Sequence, residues 1–258
     1  MKLIDSHCHI NFDAFEGDRQ QVVQRALDVG IKALVVPGVS RQQSSRTEWL
    51  HDCQNLRLIQ GVGLHPYFIN EHQPSDLEWV ATQLQQNAMA LVGEVGLDGV
   101  VPQVEKQHEL FVAQLEMAIQ WQRPLILHHR QSQAELLRLI QPVAAQLPPN
   151  PGILHAFSGS YEQAMAWVKL GFMLGVGGTI TYPRAQKTRR ALAQVPLEFL
   201  LLETDAPDMP LSGFQGQRNE PAQVVRVLDE LSQLRQMPRL ELAECLWRNA
   251  QRLFGLAD

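Results

Sequence analysis

Two histidines separated by a single residue, His7 and His9, are the first groups in this chain whose spacing could do chemistry. In extended backbone, residues two apart project to the same side, so both imidazoles can reach one metal ion while Cys8 points the other way. A His-x-His pair alone is a weak signal, since with nine His in the chain it can arise by chance. The weight comes from convergence. Glu94, His128, His155 and Asp205 each stand at the end of a short apolar run, and with the pair they supply four imidazoles and two carboxylates. Six such groups suffice for two divalent ions, and a carboxylate in the middle of the set can bridge both. Imidazole nitrogen makes Zn²⁺ or Mn²⁺ more natural than Ca²⁺, with Mg²⁺ an option. The competing account, in which each His is satisfied by a carbonyl and each acid by a helix N-terminus, has to hold at six positions at once.

Around this set lie further candidates. Asp205 could ligate an ion, orient a water and take its proton, or cap a helix ahead of Ala206-Pro207. Arg130, two residues past His128, and Arg218, in a polar loop after the last apolar run, could grip a phosphate bidentately, and His65 could reach the same region. Each Arg could equally sit in a surface ion pair. Glu203 alternates with Asp205 and reads as support for a His or as a buried acid paired with Arg. His129 should face away from His128. His51, His72 and His108 fall away from these ends and read as solvated, while Trp49, Trp79, Trp121, Trp167 and Trp247 read as core packing rather than base-stacking platforms.

These residues need elements to position them. Eight short apolar runs read as strands: Leu3 to Asp5, Ala33 to Pro37, Leu58 to Gly63, Ala90 to Val95, Pro124 to His128, Gly152 to His155, Phe172 to Val176 and Phe199 to Glu203. Each is followed by a segment of helical period, as in Val22, Val23, Ala26 and Leu27. Continuous rather than alternating apolar strands predict burial on both faces, and eight βα units predict an α/β fold, a (β/α)₈ TIM barrel, with Pro238 to Phe254 as an additional C-terminal helix. An open doubly wound sheet is the alternative. In the barrel, strand C-terminal ends carry the chemistry, and six of the nine His lie there. The 258 residues, 45% of them hydrophobic and without a linker-like stretch, are expected to form one domain over 1-258. Three Cys give no disulfide framework, the start turns polar after two apolar residues, and no run approaches a membrane span, so a soluble, cytoplasmic protein is expected, with no membrane and no obligate protein partner.

The motifs also carry a resemblance. His7-Cys8-His9, Gly93-Glu94-Val95-Gly96-Leu97-Asp98, His128-x-Arg130, His155-Ala156-Phe157-Ser158-Gly159, Glu203-Thr204-Asp205-Ala206-Pro207 and Arg218-Asn219-Glu220-Pro221 together resemble the TatD family of metal-dependent hydrolases, in the same order and from residue 4 to Asn249. The resemblance implies a barrel of the amidohydrolase-like group acting on phosphodiesters, commonly DNA ends. It implies His7, His9 and Glu94 on one ion, Glu94, His128 and His155 on a second, and Asp205 beside the first. The expected substrate is then a short or single-stranded nucleic-acid end, attacked by water activated between two divalent cations, with Glu94 and Asp205 as catalytic groups and His65, Arg130 and Arg218 on the substrate. Two positions depart from the family pattern: Gly99-Val100-Val101-Pro102 stands where an aromatic residue is usual, and Ala156 where Cys is frequent. Both concern the substrate side.

Charge bears on that expectation. With 22 Lys plus Arg against 27 Asp plus Glu the net charge is −5, which excludes a coat of phosphate contacts along duplex and leaves room for a few nucleotides near the metals. Two other functions remain open at this stage: hydrolysis of a small amide, lactone or ester by the same binuclear site, and a catalytically idle metal or nucleic-acid binding module.

Overall fold

The computed structural model describes residues 1–256. Eight strands, β1 (Leu3–Asp5), β2 (Ile31–Val36), β3 (Arg57–Val62), β4 (Leu91–Asp98), β5 (Leu125–Arg130), β6 (Gly152–Leu154), β7 (Met173–Val176) and β8 (Leu200–Leu202), pair in sequence order, every pair parallel. The two edge strands meet through the segments that follow them. Ser6 N–H donates to the Leu202 carbonyl, Asp205 N–H to that of His7 and His9 N–H to that of Ala206, at 2.8–2.9 Å. This seam brings the sheet to a nearly closed (β/α)₈ barrel, as the strand pattern predicts.

Apolar runs suit this position because both faces of each strand are dry. Ile4, Val35, Ile59, Leu91, Ile126, Ile153, Met173 and Leu201, one from each strand, fill the barrel interior, while Leu34, Val92, Leu127 and Leu174 face outward into a core shared with the helices. The helices are α1 (Arg19–Asp28), α2 (Arg41–Ser44), α3 (Ser75–Gln86), α4 (Val104–Trp121), α5 (Gln133–Ile140), α6 (Tyr161–Lys169), α7 (Gln186–Gln194), α8 (Val224–Arg235) and α9 (Arg239–Phe254). The additional helix expected at the C-terminus is α9, and its Ala250, Leu253 and Phe254, with Leu256 beyond it, join the interior cluster and plug the barrel at the end away from the polar residues.

One βα unit departs from expectation. After β2 there is only the four-residue α2 and a 3₁₀ stretch, Glu48–Cys53. The intervening Arg41-Gln42-Gln43-Ser44-Ser45-Arg46 has no apolar face to lay on the barrel, and Trp49 and Cys53 do the covering instead. No helix among the described residues is long and apolar enough to cross a membrane.

The longest strand, β4, is buried at all eight positions. Leu91 and Glu94 both face inward although they are three positions apart, an odd spacing that strict alternation puts on opposite faces. An irregularity in register against β5, between Val92 and Val95, resets the parity, and from there Glu94 and Asp98 point into the mouth of the barrel. Gly96 allows β4 and β5 to close on one another: its φ is +156°, and a Cβ would run into the His128 carbonyl oxygen.

Candidate metal centre

The six residues singled out as ligands are drawn from five strand ends and meet in one cluster at the C-terminal mouth. Cys8 packs outward in the helix-facing core, so its neighbours His7 and His9 project inward, with their Nε2 atoms 3.3 Å apart. Glu94 Oε2 lies 3.1 Å from His7 Nε2 and 3.5 Å from His9 Nε2, and Asp205 Oδ1 lies 3.5 and 3.6 Å from the same two nitrogens. The other Glu94 oxygen, Oε1, stands 2.9 Å from His155 Nε2, 2.9 Å from His65 Nε2 and 3.2 Å from His128 Nδ1. The carboxylate is thus shared between two nests of donors, one per oxygen.

Whether these nests fit metal ions can be tested on their geometry. Four ligands about 2.1 Å from a tetrahedral ion are about 3.4 Å from one another, and the donors around Glu94 Oε2 span 3.1–3.6 Å. Glu94 Oε2 is moreover buried without a hydrogen-bond partner, an arrangement that leaves an anionic oxygen unsatisfied unless a cation is shared there. The donor set fits.

Charge follows the same logic. Burial pushes the Glu94 carboxyl up, but His65, His155 and His7 outweigh it and hold Glu94 well below the usual carboxylate range, so it stays an anion. Burial drives His7 well below the usual imidazole range and His65 to about 4, keeping both as neutral lone-pair donors. His128 runs the other way: burial lowers it, but its hydrogen bonds to the Asp98 and Glu94 carboxylates raise it to about 9, and Glu94 likewise raises His9. Cations and protons compete for those two nitrogens. Burial raises the Asp205 carboxyl, against the pull of His155 and His9.

Several supporting residues escaped the sequence reading. Asp98 Oδ2 lies 3.2 Å from His128 Nε2, an acceptor that places the ring proton on Nε2 and leaves Nδ1 turned toward Glu94. Its parity with Glu94 on one strand was the available signal. Asp5, buried beneath the cluster, accepts from the backbone N–H groups of Thr204 and His7 and from the Thr204 hydroxyl, tying the β8 end to the β1 end, and burial lifts its carboxyl to about 7. Asn219 Nδ2 donates to the Thr204 and Met209 carbonyls and braces the turn that presents Asp205, whose backbone is left-handed (φ 59°).

Other candidates go elsewhere. Arg218 does not line the metal cavity; its guanidinium makes 2.7 Å contacts to both oxygens of Asp18, a 3.0 Å contact to Glu220, and lies over the Phe15 ring. The ion-pair account therefore describes Arg218 in place of the expected phosphate contact. Arg130 does line the cavity, half exposed and 3.8 Å from Asp98. His65, expected on the substrate, packs against Glu94 itself and stands with it and His128 as a potential ligand group. His72, expected to be solvated, is buried and donates to the His65 carbonyl at 2.8 Å. Among the described residues Glu203 pairs with no Arg: it is buried, accepts the Ala156 N–H, and its ligand atoms group with those of His7 and His155, while burial raises its carboxyl well above the usual range. A Cβ at Gly175 would collide with this carboxylate.

Comparison with known proteins agrees with this geometry. A sequence model of the family described as "TatD related DNase" matches residues 4–255. The chain is 42% identical to YjjV of Escherichia coli (strain K12), described as an uncharacterized metal-dependent hydrolase, across 99% of this chain and 98% of that one. The crystal structure of that protein superposes with a TM-score of 0.91, covering 99% and 98% of the two chains. A relative from Edwardsiella piscicida named 3'-5' ssDNA/RNA exonuclease TatD is 31% identical across 99% of this chain and 100% of that one. The chain belongs to the TatD family of metal-dependent hydrolases.

Proposed function

We propose that this chain is a phosphodiesterase acting on the ends of short or single-stranded nucleic acid, with two divalent cations held on either side of Glu94. The observation that carries the reading is the split of one buried carboxylate, Oε2 toward His7, His9 and Asp205 and Oε1 toward His65, His128 and His155. Cations bound there would acidify a water and offset the charge of a phosphodiester, which otherwise repels hydroxide. Asp205, at the mouth beside His7 and His9 and with its carboxyl raised by burial, is the group placed to orient that water and accept its proton. Arg130, at the cavity wall, holds a phosphate oxygen.

The Edwardsiella relative's name supports a nucleic-acid substrate, and the charge of −5 favours a short footprint. Zn²⁺ or Mn²⁺ suits the imidazole-rich set. Free Cys8, Cys53 and Cys245 accord with a reducing, cytoplasmic location.

The test is a panel of end-labelled single-stranded oligonucleotides beside simple esters, lactones and amides, offered to protein stripped of metal and then reloaded with Zn²⁺, Mn²⁺ or Mg²⁺, with His7→Ala as the blank. Oligonucleotide shortening that depends on added metal is expected. Turnover of esters or lactones alone, or full oligonucleotide cleavage in excess chelator, refutes the reading.

A further inference from the structure

Beside the metal cavity lies a second one of about 340 Å³, at the ends of β1 and β2 and the turn after β3. We propose that it receives the nucleobase of the nucleotide whose phosphate lies at the metal centre, an inference that rests on the phosphodiesterase reading.

The two cavities adjoin, with Phe12, Val39 and Phe68 lining both. The aromatic rings lean on the cluster: Phe12 stacks on His9 with centroids 4.5 Å apart and planes 24° apart, and Phe68 meets His65 edge-on at 5.9 Å. An adjoining half-buried aromatic wall is what a base uses for stacking, whichever base it is. The volume stands at the small end of ligand sites, which run from roughly 300 to 1,000 Å³, and suits one ring system better than a length of chain.

Two polar atoms among the lining residues have no partner. Asn11 Oδ1 and Gln43 Nε2 are both buried without a hydrogen bond, although Gln43 Oε1 accepts from the Ser44 hydroxyl. One is an acceptor and the other a donor, and a buried polar group of either kind is rarely left unpaired unless something else completes it. A heterocycle edge offering an amino group and a ring nitrogen supplies both complements, which an acyl chain does not.

Charge excludes a second phosphate as the occupant. The lining includes Asp13 and Glu71 against one cation, Arg46, which is already paired with Asp13. The cleft on the opposite side of the mouth differs, having Arg130 and Lys187 and no carboxylate in its lining. A polynucleotide backbone is favoured there, and a neutral ring on the Phe12 and Phe68 side.

The experiment compares metal-loaded protein on a single-stranded oligonucleotide and on the same oligonucleotide made abasic at the nucleotide being released. Loss of that base is expected to raise KM roughly ten- to a hundredfold, and in Phe12→Ala or Phe68→Ala the ratio between the two substrates should fall toward one. Because those substitutions could disturb folding near His9 and His65, binding is also read directly on the unsubstituted holoenzyme: a 2-aminopurine deoxyribonucleoside monophosphate should lose fluorescence on stacking, and Gln43→Ala should weaken its binding. Equal KM values for intact and abasic substrates, with cleavage present, overturn the base pocket and leave the phosphodiesterase standing. If no phosphodiester is cleaved, the functional reading fails, and the fluorescence titration alone decides the pocket, unchanged emission overturning it.

Discussion

If two cations are held on either side of Glu94 as proposed, replacing Asp98 by Asn should damage one metal position and spare the other. Asp98 is almost wholly buried, accepts the Val100 N–H through Oδ1 at 2.9 Å and faces His128 Nε2 through Oδ2 at 3.2 Å. An Asn can keep the first contact but then turns an amide N–H₂ toward Nε2, so His128 must present a lone pair there and carry its proton on Nδ1, the atom beside Glu94. A hydrogen bond to a charged group is worth about 1.5–3 kcal/mol, and supporting residues of this kind typically govern about ten- to a hundredfold in metal affinity. The two scales agree, since tenfold is about 1.4 kcal/mol. Zn²⁺ titrated against a chromogenic chelator should show one binding event weakened by that factor and the other unmoved, because Asp98 touches none of His7, His9 or Asp205. Thermal melting of the metal-free variant checks that the fold survives. Equal weakening of both events, or of neither, refutes the assignment of Asp98 to His128 alone.

Three further outcomes follow from packing and charge. Arg218→Met should lower stability by about 1 kcal/mol at neutral pH with no change in KM for an oligonucleotide, and a raised KM restores Arg218 to the substrate. The pH dependence has a definite sign: Arg218 hydrogen bonds hold Asp18 below its ordinary value, and against burial those of Arg25 and Arg218 do the same for Glu220, so this stability is present above the ordinary carboxylate range and is lost as acid protonates both; a melting difference between variant and parent that widens below pH 4 contradicts it. Phe254→Ala, opening the plug beneath the barrel, should cost about 3–5 kcal/mol, read by urea unfolding, and a loss under 1 kcal/mol means that α9 does not close the interior. Gly96→Ala should cost more than about 3 kcal/mol, since it adds a methyl against the His128 carbonyl at positive φ; a stable variant with full metal uptake shows that β4 and β5 can part.

What the sequence discloses and what it hides divide along a physical line. The apolar runs locate all eight strands, because parallel strands buried on both faces cannot afford alternation, and the His and acid residues stand out because they end such runs. The strand ends themselves are less legible. Ala90 to Val95 and Pro124 to His128 stop short of the observed β4 and β5, whose last residues are polar, and polar residues in a barrel mouth read like loop. That is how Asp98, though it closes the motif that begins at Gly93, received no role: alternation from Glu94 points it into the site only if β4 continues. Arg218 shows the converse limit. Its polar setting fits a phosphate as well as a carboxylate, and only the fold reveals that Asp18, 200 residues away in the chain, has taken it. The shortness of the helix after β2 was legible in principle, in the absence of any apolar face from Arg41 to Arg46.

The seam between β1 and β8 has a consequence for the order of assembly. His7 and His9 leave the ribosome first among the donors and Asp205 last, and the strands that carry them are three residues each, held across the gap by a few backbone hydrogen bonds. A nascent chain therefore lacks Asp205, one of the donors around Glu94 Oε2, until its final strand arrives, and that nest stays incomplete while the chain is partly made. Once the ring is joined, an ion bound by His7, His9 and Asp205 would latch that short pairing, adding stability in proportion to RT ln(1 + [L]/Kd). Metal loading is in this sense a report that synthesis has reached the far side of the barrel.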